Sequence, residues 1–312
     1  MPKIPQVSDQ VQLALAAGHP VVALESTIIS HGLPRPANLA AAREFEAIVR
    51  EAGATPATIA VIDGVPRAGL ADGELERIAF DESAVKVSGR DLGMAVAAKR
   101  TGGTTVAATA ILAAEAGIRV FATGGLGGVH RGAATTFDES GDLTVLSRTP
   151  VTVVSAGVKS ILDIPATLER LETLGVPVVG FRTSRFPAFW LTDSGCDLDW
   201  RVDTAAEVAA IMTARDRLGE TAALLVANPL PPSEQLDPAL HDQVLNDALA
   251  AAGARGLRGK DVTPFLLDFI RQATDGRSVA VNLDLVRGNV AVGAAIATAW
   301  AHATAASSPR GS

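Results

Sequence analysis

FATGGLGGVHRGAATTFDESGD, residues 121–142, decides how the chain reads. An apolar strand signal at its start breaks into Gly124, Gly125, Gly127 and Gly128, four glycines within five positions. Glycine relieves the backbone of Cβ crowding, and a strand-end loop built this way lets a ligand approach the main chain closely. His130 and Arg131 come next, followed by Thr135, Thr136, Asp138, Ser140 and Asp142. Their alternation predicts an extended segment with Asp138, Ser140 and Asp142 on one side. Three oxygen ligands so placed suit a hard divalent cation or the polar edge of a substrate; a solvated acidic loop is the plain alternative.

Outward from this stretch, short apolar runs alternate with amphipathic ones. VVALE (21–25), ATIAVIDG (57–64), AVKV (84–87), IRVFAT (118–123), VTVVS (151–155), GVPVVGF (175–181) and AALLVANPL (222–230) read as strands. Helices are predicted over 36–52, 72–80, 106–117, 204–218 and 238–253, with another opening at DVTPFLL under a cap from Asp261 or Thr263. The alternation argues for an α/β fold, a layered α/β/α architecture around a central mixed, largely parallel sheet with chemistry at strand ends. A single catalytic domain over 1–304 and a flexible tail over 305–312 are expected. Glu25, followed by Ser26, Thr27 and His31, ends one strand and Lys159 follows another, positions where such folds gather active-site groups; a satisfied strand-end carboxylate is the plain alternative for Glu25. Gly102-Gly103-Thr104-Thr105 before the helix at 106 is an anion-site candidate, with ordinary helix capping as the competing reading.

Composition narrows the function classes. With 312 residues and 48% hydrophobic content the chain can bury a large core, and a net charge of −7 argues against a broad nucleic-acid footprint. Cys196 is the single cysteine, which rules out an internal disulfide and suits a reducing cytoplasm. Residues 1–18 lack an apolar signal core, and the apolar run 289–301 is too short for a membrane span. Five lysines stand among 27 basic residues, so those in apolar surroundings, Lys86 and Lys159, are candidates for work arginine cannot do. A desolvated lysine can become a neutral nucleophile. GLGGVH has His130 where a dinucleotide fingerprint needs a third small residue, and SAGVKS lacks the glycine before lysine that a phosphate loop requires. There is no G-x-S-x-G elbow, and the histidines are scattered.

ALESTIISHGLP, KVSGRDL, TTVAATAILAAEAGIRVFATGG, GGVHRGA with TFD, SAGVKSILD, ANP and TPFLL spread over nearly the whole chain. Together they resemble the pseudouridine-5'-phosphate glycosidase family. The resemblance implies making or breaking a carbon–carbon bond between C1 of ribose 5-phosphate and a planar ring, uracil or a larger aromatic. It assigns Lys159 as the nucleophile that forms an iminium with C1, Glu25 as the proton-transfer residue, and Lys86 as a neighbouring cation that holds the sugar. Asp138 would anchor Mn2+ largely through water, and Val106, Thr123, His130, Ser140, Gly141, Asp142 and Asn282 would line the substrate pocket. A cytoplasmic homotrimer without nucleic-acid or membrane partners is implied. Glu139 and Gly141 within TFDESGD, Phe181 after Gly180, and Arg287 in NLDLVRGN depart from the family's usual pattern. These departures favour the C-glycosynthase branch, which couples ribose 5-phosphate to an aromatic polyketide. A pseudouridine-5'-phosphate glycosidase proper is the alternative, and a non-catalytic sugar-phosphate binder a second.

Overall fold

The computed structural model describes residues 5–257 and 262–307. Four strands set the frame: β2 (Val21–Leu24), β7 (Val120–Ala122), β8 (Thr152–Ser155) and β11 (Leu224–Ala227) run parallel side by side in that order. Each is buried on both faces, which is why the sequence shows continuous apolar runs rather than alternation. Beyond β2 lie β3 (Thr55–Ile62), β4 (Val65–Ala68) and the short β1 (Gln6–Val7); beyond β11 lie β9 (Val178–Phe181) and β10 (Arg201–Val202). Two further strands, β5 (Val85–Val87) and β6 (Gly102–Thr104), branch from β3. Among the described residues only β3 pairs antiparallel, with β4 and β6, so the sheet is mixed and largely parallel, as expected.

Helix α12 (Arg277–Ser307) crosses β2, β7 and β8 and packs against α2 (Ala37–Glu51) and α9 (Ala205–Leu218), while α5 (Val106–Ala116) packs on β2, β3 and β4. The apolar run expected to be too short for a span belongs to this 31-residue helix, long and apolar enough to cross a bilayer. Its inner face instead packs on the sheet, and Asn289 at mid-helix is fully buried against strand-end carbonyls. Residues 305–307 of the expected tail continue the helix; 308–312 and the expected cap Asp261 lie outside the described residues. Thr263 sits inside α11 (Val262–Ala273).

Registers align the strand ends. Leu24, Ala122, Val154 and Val226 form one row across β2, β7, β8 and β11, so Glu25, Thr123, Ser155 and Ala227 form the next. The chain leaves β2 for β3 on one side, whereas β7 and β8 lie on the other. The strand order therefore reverses between β2 and β7, and open α/β sheets bind ligands at the carboxyl ends of strands flanking such a point.

Candidate active site

Glu25 and Thr123 stand at the reversal, on the adjacent ends of β2 and β7. The Thr123 hydroxyl donates to the Glu25 carboxylate. Behind Thr123 the network continues: Asn289 Nδ2 donates to the Thr123 carbonyl at 2.8 Å and to the Gly124 carbonyl at 3.2 Å, and its Oδ1 accepts from Asn228 Nδ2 at 3.0 Å. A line of side-chain amides thus ties the end of β11, helix α12 and the glycine loop to one carboxylate. Ser26 pins the other side, its hydroxyl donating to the Ile59 carbonyl at 2.6 Å and accepting from Thr104 N at 2.9 Å. Burial raises the Glu25 pKa above the usual carboxylate value; Lys159, the Thr123 hydrogen bond and Lys86 pull it down, and Asp142 pushes it up.

Those causes also bring the expected groups together, because Lys159, Lys86 and Asp142 all act electrostatically on Glu25. Lys159 rides on the loop after β8. Gly157 there has φ +77°, and a Cβ on it would meet the Pro187 carbonyl at 2.4 Å, so only glycine makes this turn. Leu126 N donates to the Gly157 carbonyl at 3.0 Å and Lys159 N to the Leu126 carbonyl at 3.2 Å, locking the lysine loop to the glycine loop. Lys86 lies on β5 opposite Gly103. Although its side chain keeps contact with solvent, burial by its surroundings and the Lys159 charge hold its ammonium below the usual lysine value.

Gly102-Gly103-Thr104 is a strand rather than a phosphate loop. A Cβ on Gly103 would fall 2.1 Å from Ser30 Oγ, so the glycine serves a close strand contact. Nor does Thr105 cap α5; Asp142 reaches across instead, accepting from Ala107 N and from Gly127 N at 2.9 Å each. Thr105 Oγ1 and Asn282 Oδ1 are buried without a hydrogen-bond partner among the described residues, and Asn282 Oδ1 lies beside Gly124. Such orphaned atoms mark places where a ligand or water completes the network. Val106, the first residue of α5, is buried.

The segment 138–142 corrects the expectation of an extended run. Ser140 caps a short helix, α7 (Gly141–Leu146), by accepting from Asp142 N at 3.2 Å, so Asp142 turns into the protein while Asp138 stays outside. Asp138 is 35% exposed, with His130 Nδ1 4.0 Å from its Oδ2. Among the described residues no three or more His, Cys, Asp or Glu gather to hold a metal. One carboxylate open to solvent fits a hard cation that keeps most of its waters and does not fit a nitrogen- or sulfur-bound metal.

Of the residues that depart from the family's usual pattern, Glu139 pairs with Arg170 at 2.8 Å, Arg287 pairs with Glu44 and Asp284 at 2.8 and 2.7 Å, and Phe181 is buried in β9. Gly141 is exposed, with Ser88 Oγ 3.8 Å from where its Cβ would stand. Arg287 does line a cavity of about 600 Å³ with Asn228, Leu230 and Asp284, but Glu25, Lys86 and Lys159 do not line it. The chemistry therefore locates the site better than the cavity does. His31, in the stretch that follows Glu25, has its imidazole pushed below its ordinary pKa by burial, with the Lys86 and Arg35 charges adding to the effect and the Ala84 backbone opposing it. Sequence reading left out Asn289; the signal available was a polar residue in the middle of an apolar helix.

Residues 10–299 match the family model described as Indigoidine synthase A like protein. The chain is 62% identical to the pseudouridine-5'-phosphate glycosidase of Saccharopolyspora erythraea over 96% of its length and 98% of the relative's. It is 64% identical to that of Frankia alni, covering 95% and 82%. The structure superposes with a TM-score of 0.91 on the prealnumycin C-glycosynthase AlnA in complex with ribulose 5-phosphate, at 36% identity over 98% of this chain and 100% of that one. An indigoidine synthase A (IdgA)-like protein from Thermotoga maritima gives 0.85, also at 36% identity, over 95% and 96%.

Proposed function

The chain belongs to the Indigoidine synthase A like family, and on that footing we propose that it is a pseudouridine-5'-phosphate glycosidase, releasing uracil and ribose 5-phosphate. The observation that carries this reading is the convergence of Glu25, Lys86 and Lys159 at the point where the strand order reverses. High identity to relatives named for that activity supports uracil as the leaving ring. The C-glycosynthase reading rested on residues that are paired with partners elsewhere, buried in a strand or exposed, and its structural neighbour is far less similar in sequence.

In this reading the Lys159 amine attacks C1 of the sugar as the furanose opens, its ring oxygen taking a proton. Nitrogen then drives electrons toward C1, the C1–C5 bond to the uracil ring breaks as C5 gains a proton, and an iminium remains on Lys159. Water hydrolyses it to ribose 5-phosphate and free amine. Glu25, whose burial favours the protonated form, delivers the proton to C5. Lys86 and His31 hold the anionic end of the sugar, and Thr105 Oγ1 and Asn282 Oδ1 gain partners when substrate binds. His130, Ser140 and Gly141 line the entrance, and Asp142 fixes the glycine loop over the sugar. Asp138 would hold Mn2+ through water, the cation supplying charge neutralisation to bound substrate. We place the enzyme in the cytoplasm as a homotrimer.

The test is incubation with pseudouridine 5'-phosphate and, separately, with ribose 5-phosphate plus an aromatic acceptor. Uracil release at kcat/KM of ~10⁴ M⁻¹s⁻¹ or above is expected. Slow release with efficient coupling to the aromatic would favour the synthase. Chelation should lower the rate and manganese restore it.

A further inference from the structure

Directly after Lys159, Ser160 is 2% exposed, and its Oγ lies 2.9 Å from His241 Nε2. His241, 5% exposed, sits in the first turn of α10 (Pro238–Ala254), with Asp242 Oδ1 3.1 Å from its Nδ1. With the Nδ1 proton directed to Asp242, Nε2 is left to accept from the Ser160 hydroxyl. Trp190 packs edge-on against the imidazole at 6.2 Å, and its own Nε1 donates to the Ser278 carbonyl at 3.0 Å. Serine, histidine and aspartate thus stand in the order of a hydrolytic triad. Ser160 is too deeply buried for a substrate to reach, so no acyl or phosphoryl transfer follows from them.

What the pair does touch is the loop bearing Lys159. That loop is anchored before the lysine by Gly157 against the glycine loop, and after it by Ser160, whose carbonyl also accepts from Arg131 Nη2 at 3.4 Å. We propose that Ser160 and His241 are positioning residues: the imidazole, through the serine hydroxyl, fixes the loop so that the Lys159 amine meets sugar C1 in line. The inference rests on Lys159 being the nucleophile. A misplacement of about 1 Å at a reacting group can cost on the order of a hundredfold in rate, so a loosened loop should show in the covalent step rather than in sugar binding.

The experiment follows borohydride trapping of ribose 5-phosphate on the purified full chain across sugar concentrations, with thermal melting alongside. Ser160→Ala and His241→Phe should each slow trapping about 10-fold while half-saturating sugar shifts less than about twofold. The double variant should be no slower than the worse single, and His241→Gln, whose amide oxygen can replace Nε2 as acceptor of the Ser160 hydroxyl, should recover most of the rate. Wild-type trapping rates in folded Ser160→Ala, multiplicative losses in the double variant, or affinity falling in step with rate would overturn the proposal. If His241→Phe does not fold, Ser160→Ala and His241→Gln decide. Absence of any adduct on Lys159 in the unaltered protein would refute the nucleophile assignment itself, and the positioning role with it.

Discussion

Glu25 carries more of the proposed chemistry than any other carboxylate, because its surroundings oppose the charge an ordinary glutamate holds. Burial raises its pKa above 4.5, so the folded protein keeps the proton to higher pH than the unfolded chain does. The resulting stabilisation is full below the unfolded value and is lost as pH rises through the folded one. Each unit of raised pKa corresponds to about 1.4 kcal/mol. Glu25→Gln, which never ionises, should therefore melt close to wild type near pH 4.5 and progressively above it toward pH 8, a comparison that calorimetry makes directly. The same substitution should cut uracil release by ~100-fold or more and leave sugar trapping at Lys159 intact. Glu139 illustrates the opposite case. Its carboxylate is engaged by Arg170 in a half-exposed pair, so Glu139→Ile should change kcat/KM for pseudouridine 5'-phosphate less than about threefold and stability by less than ~1 kcal/mol. A large loss of uracil turnover would return Glu139 to the ring pocket.

At the scale of elements, α12 braces the glycine loop through Asn289. Replacing Asn289 with Ala would strip hydrogen bonds from the buried Thr123 and Gly124 carbonyls and leave the half-buried Asn228 Nδ2 without its acceptor. Unmet buried groups cost about 1–3 kcal/mol each, so a lowered Tm is expected. Because Thr123 holds Glu25, kcat should fall at least ~10-fold with a smaller change in KM. Little of this brace was legible in the sequence, since Asn289 lies far along the chain from everything it touches. The helix at Asp72–Phe80 and the buried strands, by contrast, read correctly from local pattern alone. Asp138-Ser140-Asp142 misled because alternation is also what a cap followed by a helical turn produces: Ser140 as cap and Asp142 in the first turn share the spacing of an extended run. Gly102-Gly103-Thr104 misled in the same way, its glycines serving a close strand contact with Ser30. Glu25, Lys86 and Lys159 could be named from the sequence by resemblance and lysine scarcity; their convergence needed the strand order.

Across the whole molecule, residues from 25 to 289 close on the carboxyl ends of the central strands. β2, β7, β8 and β11 each deliver a group there, and α12 crosses behind β2, β7 and β8. The family match, residues 10–299, spans all of these parts. The step on which everything else depends is the covalent one. It is tested by incubating the full chain with ribose 5-phosphate, reducing with borohydride and mapping the added mass by peptide mass spectrometry. A reduced sugar-phosphate adduct is predicted on the peptide carrying Lys159, absent from Lys159→Arg; an adduct on Lys86, or trapping by Lys159→Arg at the wild-type rate, would contradict a Lys159 nucleophile.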